Sequence, residues 1–152
     1  MNLEKELGII IIKPPYAGDS TATKKIIDFT RYKLFRKFNE YPLIIYDVLI
    51  DNGNDLMKEI YKHLEDKWKG FGEMLNDFNN KPVHPFILKG DCGMSGFLKE
   101  ITGKTNYEDN PDTIRGMMRK EYGAPRKEWL NYVHVPGPEE VSRDLNILIK
   151  WI

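Results

Sequence analysis

Leu7-Gly8-Ile9-Ile10-Ile11-Ile12-Lys13-Pro14-Pro15 decides how the rest of the chain is read. Seven residues with four consecutive isoleucines suit a strand buried on both faces, and two prolines then end the ladder. Asp19, Ser20 and Thr21 offer caps for a helix to about Phe38, whose inner face reads Ile27, Thr30, Leu34 and Phe38. Leu43 to Ile50 predicts a second strand, closed by Asp51-Asn52-Gly53. Two short helical segments follow, one carrying Leu56, Met57, Ile60, Tyr61 and Leu64, the other Phe71, Met74, Leu75 and Phe78. Val83 to Leu88 is a third strand and Gly93 to Ile101 a short helix. Gly103 to about Leu130 reads as one long polar loop, and Asn131 to Val135 as a short last strand. Pro138, Glu139 and Glu140 open a final helix burying Val141, Leu145, Leu148 and Ile152. Pattern alone gives α/β or α+β, without strand order.

The 152 residues fit one domain, 1–152, and their 41% apolar and 30% charged content describes a folded globular chain. Lys and Arg number 23, and so do Asp and Glu, a balance that argues against a bulk nucleic-acid or membrane binder. One basic run, Lys24, Lys25, Arg31, Lys33, Arg36 and Lys37, leaves a nucleic-acid surface as a minor alternative. Cys92 is the only cysteine, so neither an intramolecular disulfide nor a cysteine cluster can form. With no signal peptide or membrane-length apolar run, a soluble cytoplasmic protein is expected.

The long loop is where chemistry is expected, because loops beyond about 15 residues inside a compact domain are usually functional or disordered. It carries Lys104, Thr105, Arg115, Arg119, Lys120, Arg126 and Lys127, groups suited to phosphate, although interleaved acids allow a merely solvated face. His63 reads as a surface residue and His84 as a structural one. His134 ends a short strand beside Val135-Pro136-Gly137, a place where α/β proteins put ligand chemistry. No His or carboxylate pair recurs around it at metal-ligand spacing.

Four segments resemble one family, nucleoside diphosphate kinase. Ile9 to Pro14 is similar to its opening strand and Lys-Pro, and Gly103-Lys104-Thr105-Asn106 to its Gly-x-Thr-Asn. Pro111-Asp112-Thr113-Ile114-Arg115-Gly116 resembles its Pro-Gly-Thr-Ile-Arg-Gly, and Asn131-Tyr132-Val133-His134 its Asn-x-x-His. The order agrees, and the likeness is strong from Lys81 to His134 and weak from Pro15 to Asn80.

The resemblance implies a ferredoxin-like α+β fold with an antiparallel four-stranded sheet, in place of the parallel sheet that strand–helix alternation suggests. It implies ping-pong transfer of a γ-phosphate between nucleoside tri- and diphosphates through a phosphohistidine at His134. Lys13 and Arg115 then serve the phosphates, Thr105 binds phosphate, Asn131 contacts the sugar, and Tyr61 lies close to the histidine. Either Trp68 or Phe71 stacks on the base. Magnesium comes held mainly by the nucleotide phosphates, with no protein metal site, and the chain assembles as a dimer-based homo-oligomer.

The departures are specific. Pro15-Tyr16 stands where the family has Asp-Gly, and Lys99 where it holds an arginine against phosphate. Pro136 removes a hydroxyl after the histidine, and Asp144 stands in for a glutamate that orients it. Arg115 and Asn131 are also further apart than usual. A nucleotide-binding or regulatory module with weak or no transfer is therefore the alternative reading.

Overall fold

The computed structural model describes residues 5–105 and 108–151, so Asn106 and the expected burial of Ile152 lie outside the described residues. Four strands, β1 (Lys5–Ile12), β2 (Leu43–Asp47), β3 (His84–Asp91) and β4 (Val133–His134), form one sheet in the order β2-β3-β1-β4. All three pairings are antiparallel, with Ile9 opposite Ile87 and Ile11 opposite His134. This is an α+β, ferredoxin-like sheet, and the parallel alternative is excluded by the register.

The isoleucine run is explained by alternation across a sheet covered on both faces. Ile10 and Ile12 enter one core with Phe86 and Leu88, closed by Ala22, Ile26 and Leu34 of α1 (Ser20–Phe38). Met94 and Leu98 of α4 (Met94–Thr102) join them, with Ile114 and Met118 of α5 (Ile114–Tyr122). Ile9 and Ile11 enter the opposite core with Ile87 and with Leu56, Met57 and Ile60 of α2 (Asn54–Ile60). Phe71, Met74 and Phe78 of α3 (Phe71–Phe78) and Leu148 of α6 (Val141–Leu148) complete it. All four isoleucines are 0% exposed, each contributing about 1.5–3 kcal/mol of transfer free energy. The start of α1 is capped by Asp19, whose carboxylate accepts from the Thr21 and Ala22 amides, and Asn39 ends it in the left-handed region at φ 57°.

Two expectations are corrected. The second strand stops at Asp47, after a bulge between Ile44 and Tyr46; beyond it the Val48 amide donates to the Pro85 carbonyl at 3.4 Å and Ile50 forms an isolated bridge with Val83. The stretch 103–130 is not one loop, because it contains α5. Thr113 caps that helix, its Oγ1 accepting the Gly116 amide at 3.0 Å and donating to the Asn110 carbonyl at 2.7 Å. No helix among the described residues is long and apolar enough to cross a membrane.

Candidate active site

Antiparallel pairing carries His134 to the end of β1, and Lys13 follows that strand directly. The Lys13 amide donates to the Tyr132 carbonyl at 2.9 Å, fixing the two segments side by side. Tyr132 itself is held at φ 78°, a conformation that a non-glycine residue keeps only under firm constraint. Its ring is buried and its hydroxyl donates to the Gly123 carbonyl at 2.5 Å, which supplies that constraint two residues before His134.

His134 is buried and held at both ring nitrogens. Nε2 lies 2.8 Å from Oδ2 of Asp144, a side chain with 0% exposure, and Nδ1 lies 3.1 Å from the Tyr61 hydroxyl. An ionised carboxylate only accepts, so Asp144 places the ring proton on Nε2 and leaves the Nδ1 lone pair facing Tyr61. Burial holds the imidazole below its ordinary pKa, with hydrogen bonding to Asp144 opposing in part. Burial also pushes the Tyr61 phenol far above its usual range, so the hydroxyl stays protonated and donates to Nδ1.

Around them lies a cleft of about 530 Å³ lined by Lys13, Tyr61, Trp68, Lys99, Thr105, Arg115, Asn131 and His134 among others. Nζ of Lys13 donates to Oδ1 of Asn131 at 2.5 Å and approaches the Tyr61 hydroxyl at 3.5 Å. Nδ2 of Asn131 donates in turn to the Thr105 carbonyl at 2.7 Å, while the Thr105 residue itself is exposed. Nζ of Lys99 donates to the Val135 carbonyl at 2.8 Å, one residue past His134. Among the described residues, Arg115 donates to the carbonyls of Gly103, Asn131 and Val133 from Nη1, Nε and Nη2. Burial depresses the basicity of Lys13, Lys99 and Arg115, and mutual repulsion adds to it for the two lysines. A cleft that crowds cations is prepared for an anion.

The structure therefore brings together every residue expected at the site except Phe71. Trp68 lines the cleft, whereas Phe71 is 6% exposed in the core with Met57 and Met74. Sequence reasoning did not single out Trp129, whose ring lies 5.5 Å from that of Trp68 in an edge-to-face contact. Its indole N–H donates to Asp77 at 2.7 Å. An aromatic two residues before Asn131, in a charged stretch, was the available signal. Arg143, Glu128 and Glu140 were missed as well. Arg143 sits beside Asp144, and Glu128 and Glu140 line the cleft. Among the described residues no group of three His, Cys, Asp or Glu side chains is placed to hold a metal.

No family model matches the sequence, and no curated protein matches it. The fold, however, is similar to solved nucleoside diphosphate kinases. One from Aquifex aeolicus has 21% identity and a TM-score of 0.72, with 95% of each chain covered. One from Halobacterium salinarum, in complex with CDP, has 18% identity and a TM-score of 0.69 over 95% of this chain and 87% of the other. One from Encephalitozoon cuniculi, in its apo form, has 19% identity and a TM-score of 0.62 over 95% and 88%. At these identities the likeness is one of fold.

Proposed function

We propose that the chain, as a single domain over residues 1–152, is a cytoplasmic nucleoside diphosphate kinase. One observation carries this reading: Asp144 and Tyr61 hold the two nitrogens of His134 in a cleft that gathers Lys13, Lys99 and Arg115. The lone pair on Nδ1 attacks the γ-phosphorus of a bound nucleoside triphosphate. The bond from that phosphorus to the β,γ-bridging oxygen breaks, and the diphosphate leaves with the electron pair. The ring, now phosphorylated on Nδ1 and still protonated on Nε2, carries positive charge that Asp144 balances. An oxygen of a second nucleoside diphosphate then attacks the same phosphorus, the P–N bond breaks, and neutral imidazole returns. Such transfers need alignment and charge neutralisation more than covalent help. Lys13, Lys99 and Arg115 supply that neutralisation, and magnesium enters on the nucleotide as part of the substrate.

Trp68 and Trp129 form an aromatic corner at the cleft, where a base stacks with little regard for its identity. Self-association through the edge strand β2 completes the reading: Leu43, Ile44 and Ile45 are exposed there, on a strand that among the described residues is hydrogen-bonded along one side only. A second copy is the expected occupant of that edge, and a monomer by light scattering at micromolar concentration would overturn this part.

The test of the main reading is incubation with Mg²⁺-ATP. One acid-labile, base-stable phosphate should appear on the protein, and GDP should discharge it to GTP. His134→Ala should abolish both steps and His84→Ala neither. Nucleotide binding without uptake of phosphate would instead favour a regulatory module.

A further inference from the structure

We propose that Arg143 is a positioning residue for His134, holding Asp144 so that the ring proton stays on Nε2 and the lone pair on Nδ1. The part of this that concerns rate rests on the reading of His134 as phosphate acceptor; the part that concerns the ring proton does not.

Asp144 is wholly buried, and its two oxygens have separate duties. Oδ2 faces Nε2 of His134 at 2.8 Å, while Oδ1 accepts from Nε of Arg143 at 3.1 Å and from its Nη2 at 3.0 Å. Neighbours on a helix do not face each other, so an arginine does not reach the preceding or following carboxylate by default. This one is drawn there from the cleft rim. Its Nη1 donates to Nδ1 of His63 at 3.1 Å, and its Nη2 lies 3.6 Å from Glu140. Those two contacts steer the planar guanidinium onto Oδ1 and leave Oδ2 free for the histidine.

The chemical consequence follows from charge. Before phosphorylation His134 is neutral, so Arg143 is the cation in direct contact with a carboxylate removed from water. Without the guanidinium, Oδ1 loses both donors of Arg143, and the carboxylate is free to turn and loosen its hold on Nε2. The ring hydrogen would then be free to move to Nδ1. The lone pair would then point at the helix instead of the cleft, and the nucleophile would be lost without any change in nucleotide binding.

The experiment is ¹⁵N NMR of the His134 ring in the ligand-free protein, together with single-turnover phosphorylation by Mg²⁺-ATP, for wild type, Arg143→Ala and Arg143→Lys. The Nε2–H tautomer should dominate in wild type. Arg143→Ala should show a substantial Nδ1–H population and a tenfold or greater loss in the rate of phosphorylation, at little change in nucleotide affinity. Arg143→Lys should recover part of both. If Arg143→Ala does not fold, the comparison of wild type with Arg143→Lys decides: a lysine with the same tautomer and a rate within twofold leaves no role for the guanidinium fork. An unchanged tautomer in Arg143→Ala overturns the proposal, whatever the rate does. Wild type that never takes up phosphate would overturn the kinase reading, and the tautomer comparison would still decide the role of Arg143.

Discussion

Nζ of Lys13 lies 2.5 Å from Oδ1 of Asn131, so the most buried cation of the cleft is held by a neutral amide. Burial, then repulsion from Arg115 and Lys99, pulls its pKa well below the ordinary lysine value of 10.5. Under the proposed function, nucleotide phosphates would bring the missing negative charge and raise it again. Binding of a nucleoside diphosphate should therefore take up a proton once the pH exceeds the depressed value. Calorimetry in buffers of different ionisation enthalpy, from pH 7 to 9.5, should detect uptake that grows with pH and is absent in Lys13→Met. No proton exchange across that range would refute it.

The imidazole of His134 is held below 6.5 by burial, with Asp144 opposing. On the proposed mechanism neutral imidazole is the nucleophile, so phosphorylation should stay near its plateau below pH 6.5 and fall only as the pH drops through the depressed pKa. Asp144→Asn removes the charge that raises this pKa, so its acid limb should move lower still. Its plateau should drop, because the phosphorylated ring loses its counter-charge. A wild-type limb at or above 6.5 in single-turnover profiles would contradict this.

Lys99 donates to the Val135 carbonyl and faces the same cleft as His134. Lys99→Ala should slow phosphoryl transfer about tenfold or more, the cost of one charge-assisted hydrogen bond at roughly 1.5–3 kcal/mol. Lys99→Arg should maintain or raise turnover, because a planar fork can serve phosphate and carbonyl together. An alanine variant with wild-type turnover would show that Lys99 does no more than brace Val135.

The fold was legible where pattern and chemistry agree. The isoleucine run, Asp19 as a cap and the end of α1 at Phe38 all emerge from local rules. Antiparallel order did not, since it depends on pairings such as Ile9 with Ile87 that are far apart in sequence. Helix α5 was hidden by composition: Arg115, Arg119, Lys120 and Glu121 gave a loop-like density of charge. Yet Thr113 and the spacing of Ile114, Met117 and Met118 were a helix start in plain view. At the site, His134, Lys13 and Asn131 were legible as a motif. The contact between Arg143 and Asp144 was not, because neighbours on a helix do not ordinarily face each other and one of the groups Arg143 also contacts, His63, lies 80 residues away.

Trp129 is anchored by its N–H to Asp77 and by Lys127, whose Nζ lies 5.2 Å from the ring centroid. It is thus a fixed wall against which Trp68 rests. Trp129→Ala and Trp68→Ala should each raise KM for all nucleoside diphosphates, by roughly 1–3 kcal/mol of lost stacking, with kcat less affected. Phe71→Ala should lower thermal stability instead, because Phe71 is packed in the core. A Phe71→Ala variant of normal stability with raised KM would reverse these assignments.

Gly116 tests how the segment that carries Arg115 is built. A Cβ placed there would lie 1.8 Å from the Asn110 carbonyl oxygen and 2.5 Å from its carbon. Those atoms are backbone, and the Asn110 carbonyl already accepts from both the amide and the hydroxyl of Thr113, so neither can yield without breaking the cap. Gly116→Ala should cost about 1–3 kcal/mol as overpacking does, lowering Tm by roughly 3–10 °C. Because Arg115 is the preceding residue and staples this helix to Asn131 and Val133, the displacement should also reach the strand that carries His134. Transfer should fall in the same variant even at temperatures where it remains folded. Thermal melts and single-turnover rates on one preparation separate the two effects. A variant with wild-type Tm would mean that the Asn110 turn moves freely, and that the glycine is not what sets the approach of α5 to the cleft.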